Sequence, residues 1–426
     1  MTYDVIIIGA GIIGLSKAYQ IARRSGSSVL VLEAAATLGA GSSGASSAIC
    51  RHRYSQDQMV ELARDGIRAY RQWAEFTRID SPRGQYHQDG ALWINQEGKA
   101  WADDEQARLN RLGVEGEVLS DDEITTRFPS LSTCTVTVDL ERGSTHQCYP
   151  TDGLLFEPEA GYFDPVDALF DLLDAARVYQ FDIRFSSPVE RVLTAGGRAT
   201  GVVLASGEQI GAGSVINTNG PWCNQILEPL GLAERWPLNP TRIQVLHIDR
   251  PSNLTGKLPV CCDSAGGVYF REQNRGQQIV LGSAREEDER ETVDPTHYHD
   301  WVDDDFKAAR LHGFKHRCPD LPDNIKVTGT PGYTPSMKLT CIPLSASVIF
   351  QDFTSRTASV AMASSWPPPS AACWLAPLPA WCQTSTLTWT TNFLLSIASH
   401  CPWIPRVCWR EVQLTANRAV IPKSAR

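Results

Sequence analysis

"YDVIIIGAGIIGLSKAYQIARRSGSSVLVLEAA", residues 3–35, decides the fold. Residues 5–8 form an uninterrupted β-branched run that ends at a glycine, the composition of a strand buried on both faces of a parallel sheet. Gly9-Ala10-Gly11-Ile12-Ile13-Gly14 follows, and Leu15, Ala18, Ile21 and Ala22 then recur at helical spacing. In such a strand–turn–helix the first glycine permits the tight turn and the second lets a pyrophosphate approach the backbone. The third lets helix and strand pack closely. The free N–H groups and positive dipole end of the helix face the phosphates. After Gly26 a second apolar run ends in Glu33, followed by Ala34. A carboxylate at this distance accepts hydrogen bonds from both ribose hydroxyls of an adenosine. The stretch predicts dinucleotide binding and leaves NAD and FAD both open.

Composition narrows the partners. The 426 residues are 42% hydrophobic, enough to fill the cores of two or three domains. A net charge of −9 without a basic cluster argues against nucleic acid and for a small-molecule ligand. No apolar run approaches the ~20 residues of a membrane span, and no cleavable leader precedes the first strand, so a cytoplasmic or organellar protein is expected. The 12 cysteines are scattered, with no CxxC pair and no metal-ligand spacing, so no metal is expected. Cys261 and Cys262 read as a buried strand pair.

"GAGSSGASSAICRHRY", residues 39–54, has the composition of a flexible linker, but it stands directly after Glu33. With these residues the chain resembles the FAD-dependent amine and amino-acid oxidoreductases, the family of D-amino-acid oxidase, glycine oxidase, sarcosine oxidase and dimethylglycine dehydrogenase. "SSGASSAICRHRY" is most similar to the sarcosine and dimethylglycine branch. The resemblance implies a loop running under the pyrophosphate and flavin, with Ser42, Ser43, Ser46 and Ser47 on the cofactor. Arg51 and His52 would lie near the flavin face and steer a substrate carboxylate, the alternative being a salt-bridged surface turn. Apart from Cys50 and His52 the loop holds no residue that could tether the flavin, so FAD is expected to be noncovalent.

The resemblance extends to about residue 329. "SSPVERVLTAGGRATGVVLASGEQIGAGSVINTNGPWCNQI" (186–226) alternates short strands and glycine turns. It is similar to the family's adenine-side segment, which would place Val189 at the adenine and Gly220 and Trp222 beside the cofactor. "GYFDPVDALFDLLDAAR" (161–177) predicts a helix entered at Asp164-Pro165. "RIQVLHID" (242–249) and "GGVYFREQNRGQQIVLGSA" (266–284) have strand character and match the family's antiparallel substrate sheet; no role is assigned to their charged residues. The implied fold is α/β, with a discontinuous Rossmann-type FAD domain (1–80 and 151–225) and an antiparallel β-sheet substrate domain (81–150 and 226–329). The implied reaction is hydride transfer to flavin N5 from the carbon next to the nitrogen of a small amine or amino acid, leaving an imine that hydrolyses. Oxygen or an electron-transfer protein would accept the electrons. A 2-hydroxy-acid substrate, an NAD enzyme and a non-catalytic nucleotide-binding remnant are the alternatives.

Residues 330–426 read as an aberrant tail without a reliable fold. After Gly332 there is no glycine, and the only acids are Asp352 and Glu411. Six of the 12 tryptophans fall in the last 61 residues. The family closes with a strand pair, a "GHGF" turn and a helix returning to the flavin domain. A frame starting at the third nucleotide of each codon restores that wording. Met337-Lys338 forces a glutamate codon, Met362-Ala363 a glycine and Trp366-Pro367 an alanine. With permitted synonyms, 333–347 reads "LYTINEVDVHPIVGK", and "TASVAMASSWPPPSA" (357–371) reads "GFSGHGFKLAPAIG". A shifted frame beginning near residue 329 or 330 is therefore expected, the alternative being a genuine partner-binding extension.

Overall fold

The computed structural model describes residues 1–143, 146–235, 238–289, 291–297, 301–337 and 348–350. Residues 357–375, on which the frame argument leans, lie outside them.

The chain opens with β1 (Thr2–Ile8), α1 (Ile12–Ser25) and β2 (Val29–Leu32). β3 (Ile49–Cys50), α2 (Asp57–Arg71), α3 (Trp73–Thr77) and β4 (Tyr86–His87) follow. Next come β5 (Ala91–Ile94), α4 (Gly98–Arg111), β6 (Glu117–Leu119), α5 (Asp121–Arg127), β7 (Leu154–Glu157) and β8 (Gly161–Phe163). α6 (Pro165–Ala176) leads into β9 (Phe181–Arg184), β10 (Val189–Ala195), β11 (Arg198–Leu204), β12 (Gln209–Asn217) and α7 (Cys223–Leu227). The remaining elements are β13 (Leu238–Asp249), β14 (Val260–Asp263), β15 (Val268–Gln273), β16 (Gln278–Ser283), α8 (Asp304–Arg317), β17 (Val327–Met337) and β18 (Val348–Phe350).

A seven-stranded sheet runs β10-β11-β12-β1-β2-β9, with β18 pairing antiparallel to β12. Its parallel centre is β12-β1-β2-β9. Ile7 points into a core with α1 and α6, while Ile6 and Ile8 join a second core on the other face with β10–β12. This double burial is what the unbroken isoleucine run required, and each buried Ile contributes about 1.5–3 kcal/mol. α6 begins as its sequence predicts: Asp164 caps it by accepting from the N–H groups of Val166 and Asp167.

A second sheet of eight strands runs β17-β13-β16-β15-β14-β5-β7-β6, antiparallel except for β14 against β5. Leu246, Ile248, Phe270 and Leu281 face a core with Phe306 and Phe314 of α8. β7 corrects a domain boundary set at residue 150. It pairs with β5 and β6, because Phe156 and Leu154 complete that same core opposite Leu92 and Leu119. β17 also carries on through Met337 against β13, eight residues past Gly329. The expectation of no fold from residue 330 therefore does not hold for 330–337 and 348–350, since ladder hydrogen bonds are made by backbone whatever the side chains. A third sheet, β3-β8-β4, bridges residues 49–50 and 86–87.

Candidate active site

The cofactor loop is built by contacts a side chain would block. Gly9 adopts φ +98°, and a Cβ there would lie 2.8 Å from the Thr218 carbonyl oxygen. A Cβ on Gly14 would lie 2.0 Å from the Gly9 oxygen, so close packing of strand, turn and helix demands glycine. The Ala10 N–H donates to Glu33 Oε2 at 2.8 Å and the Ala35 N–H to Oε1 at 2.9 Å. Each carboxylate oxygen keeps a lone pair for a ribose hydroxyl. Ile12 and Ile13 open α1, and the Ile12 N–H donates to Ser43 Oγ at 3.1 Å, which seats the serine loop on the first helical turn.

The rest of the expected cofactor set converges here. Gly41 lies against Trp222, a Cβ on it coming 3.7 Å from the indole. Gly220 turns at φ +55° two residues after Thr218, whose hydroxyl donates to the Ile8 and Gly9 carbonyls. The Ser187 N–H donates to the Glu33 carbonyl, and Val189 begins β10 two residues later. Ser46 Oγ accepts from the Ala48 N–H at 3.0 Å. Ser42 Oγ is buried without a hydrogen-bond partner. Such an orphan in the loop seated on a glycine turn and a helix N-terminus fits a pyrophosphate.

Arg51 and His52 part company. The Arg51 guanidinium lies over the Tyr54 ring at 4.8 Å and the Trp93 ring at 5.0 Å. Burial works against its charge, but Tyr54, Cys262 and Glu157 outweigh that and hold its pKa above the ordinary arginine value. His52 corrects the expectation of a substrate-facing pair. It is 1% exposed, its Nδ1 sits 3.0 Å from Glu157 Oε2, and its backbone N–H donates to the same oxygen at 2.6 Å. The Trp93 indole N–H donates to Glu157 Oε1 at 2.6 Å. Burial raises the Glu157 pKa, but hydrogen bonding and charge from His52 outweigh it and leave the carboxyl below its usual range. A buried carboxylate needs these donors, so His52 and Glu157 anchor the loop that presents Arg51.

Sequence reading missed the opposite wall. On the cofactor-facing side of the eight-stranded sheet, His247, Val280 and Arg271 lie in one row across β13, β16 and β15. Tyr269 lies beside Cys262 and Trp93 in the next. Tyr269 folds over Gly282, where a Cβ would fall 2.2 Å from its ring. Arg271 donates from Nε to the Ser47 carbonyl and lies 4.3 Å over the Tyr162 ring, joining the sheet to the serine loop. Burial lowers its pKa to about 10. Burial, then Arg271, holds His247 below the ordinary histidine value. The signal was present: period two within β15 puts Tyr269 and Arg271 on the face opposite Val268 and Phe270.

A glycine turn with a ribose acid, facing a second sheet lined by arginine, histidine and tyrosine, defines a dinucleotide-dependent oxidoreductase of two-sheet architecture. The profile of the FAD dependent oxidoreductase family matches residues 4–349, and the chain belongs to this family. FAD is its cofactor, which removes the nicotinamide alternative. The chain is 29% identical to human peroxisomal sarcosine oxidase over 245 residues, 58% of this chain and 57% of that protein. It is 23% identical to rat mitochondrial dimethylglycine dehydrogenase over 282 residues, 64% of this chain and 30% of that protein. These matches thus span under two thirds of either relative's length. The fold matches glycine oxidase from Geobacillus kaustophilus with a TM-score of 0.66 at 18% identity, covering 87% of this chain and 91% of that one.

Proposed function

We propose that the protein oxidises the C–N bond of a small amino acid, free or N-methylated, at the site between the serine loop and the eight-stranded sheet. The carrying observation is Arg271 and His247 in one row of the sheet facing the serine loop, with Arg51 on that loop against Trp93. The buried Arg271 and half-buried Arg51 guanidinium groups attract a carboxylate more strongly than they would in water, and favour substrates that carry one over plain amines. The same positive potential disfavours a substrate ammonium, so the amine enters neutral, with its proton released to solvent. A neutral His247 ring can hold the amine by a hydrogen bond without adding charge. Tyr269 over Gly282 narrows the wall and limits the side chain that fits. FAD, when bound, supplies the acceptor for the hydride of the carbon next to nitrogen. The similarity to proteins named for sarcosine, dimethylglycine and glycine supports this reading. Noncovalent FAD is supported by Cys50, whose thiol is buried and pushed up in pKa, and by His52, which is committed to Glu157.

Anaerobic bleaching of the flavin by sarcosine, dimethylglycine, glycine, D-amino acids, 2-hydroxy acids and amines without a carboxylate tests the reading. Carboxylate-bearing amines should bleach it, and Arg51→Met should lower kcat/KM about 30-fold or more, matching the 2 kcal/mol or more lost with a buried charge partner. Equal bleaching by methylamine-type substrates would sink the assignment, and bleaching by 2-hydroxy acids alone would replace it.

We further propose that the chain after residue 329 is the family's closing segment written in a shifted frame. The two in-phase matches within residues 333–371 support this. Sequencing the gene and transcript across codons 325–345 should reveal a one-base change or alternative splice site that restores the glycine-containing wording. If neither exists, the tail is genuine.

A further inference from the structure

We propose that Cys134, His146, Cys148 and His316 form a zinc site that staples a long loop to α8, on the side of the eight-stranded sheet away from the cofactor. One ligand atom from each of the four lies within 4.8 Å of all the others. His146 Nε2 stands 3.3 Å from Cys134 Sγ and 3.8 Å from Cys148 Sγ. The His146 and His316 rings are 4.8 Å apart between centroids. Tetrahedral zinc, with Zn–S near 2.3 Å and Zn–N near 2.0 Å, requires neighbouring ligand atoms about 3.3–3.8 Å apart. The measured pairs already meet that spacing. His316 Nε2 is buried and has no hydrogen-bond partner, an expense a core imidazole escapes by binding a cation.

The ligands are held by contacts that do not need the metal. Arg317, beside His316, is buried in an ion pair with Asp263 at 2.8 Å. From there it donates through Nη2 to the Cys134 carbonyl at 2.9 Å and through Nη1 to that of Ser132. The Thr135 N–H donates to the Tyr149 carbonyl at 3.2 Å, which brings the arm carrying Cys148 alongside the arm carrying Cys134. Among the described residues, 128–153 contain no helix or strand, a length of connection that needs a device of its own to stay in place.

Two thiolates and two neutral imidazoles select zinc over magnesium or calcium and balance its charge, both thiol protons passing to solvent on binding. All four positions come from protein, which makes the site structural. It was invisible as a cysteine motif because its ligands are spread over 183 positions, from 134 to 316.

The full chain, produced with zinc in the medium and purified without chelator, should carry about one zinc per molecule by elemental analysis. Cobalt(II) exchanged into it should give the thiolate charge-transfer and tetrahedral d–d bands. Cys148→Ser, at an exposed position where no packing is lost, should lower zinc content at least about tenfold and abolish the cobalt thiolate bands. A metal-free protein without those bands, or a Cys134–Cys148 disulfide found by mass spectrometry in freshly purified protein, would overturn the proposal. None of these readouts depends on flavin or turnover.

Discussion

The two walls of the active site are built in opposite ways. The cofactor wall is local: β1, the glycine turn, α1, β2 and Glu33 occupy one continuous stretch, and their partners are set by strand–turn–helix geometry. The opposite wall is assembled from afar: Arg271 reaches the Ser47 carbonyl across 224 positions, and His52 meets Glu157 across 105. A locally built wall announces itself in residue spacing. A wall built from sheet register does not, because the same alternation serves any half-buried strand.

Gly14→Ala is the sharpest way to break the cofactor wall. With the new Cβ 2.0 Å from the Gly9 oxygen, backbone must shift, and the purified protein should retain no yellow flavin absorbance. Full retention of FAD would mean that strand and helix can separate without losing the phosphate site.

Glu157→Gln strikes the distant wall without touching the cofactor. It takes the charge from a carboxylate that collects His52, Trp93 and the Arg53 backbone, and should cost about 3–5 kcal/mol in denaturant unfolding. The sign with pH follows from the lowered Glu157 pKa: its stabilisation is present above the unfolded carboxyl value near 4.3 and is lost as pH falls through the folded value. The wild-type protein should therefore lose its advantage over the glutamine variant on acidification. A difference under about 1 kcal/mol would show that the loop is held by something else.

Glu33→Gln should have the smallest effect. An amide oxygen can still accept from Ala10 or Ala35, but the charge-assisted bonds to ribose are lost, so FAD affinity by fluorescence titration should fall about tenfold. A loss of thousandfold would make Glu33 a folding element of the loop rather than a ribose ligand.

The sequence by itself determined the α/β class, the glycine turn, Glu33, the serine loop and the helix cap at Asp164, because each depends on residues within one or two elements of each other. Tertiary structure decided that His52 turns into the Glu157 carboxylate while Arg51 faces Trp93. It decided that β7 belongs to the second sheet, that Tyr269, Arg271 and His247 share one face, and that four metal-binding side chains meet beside α8. The physical reason is burial, which carries the apolar residues of β7 into the core opposite Leu92 and Leu119 and acts on the polar groups as well. Burial forces a polar group to find a partner wherever the packed sheets put one, and that place is fixed by register and layer packing rather than by distance along the chain.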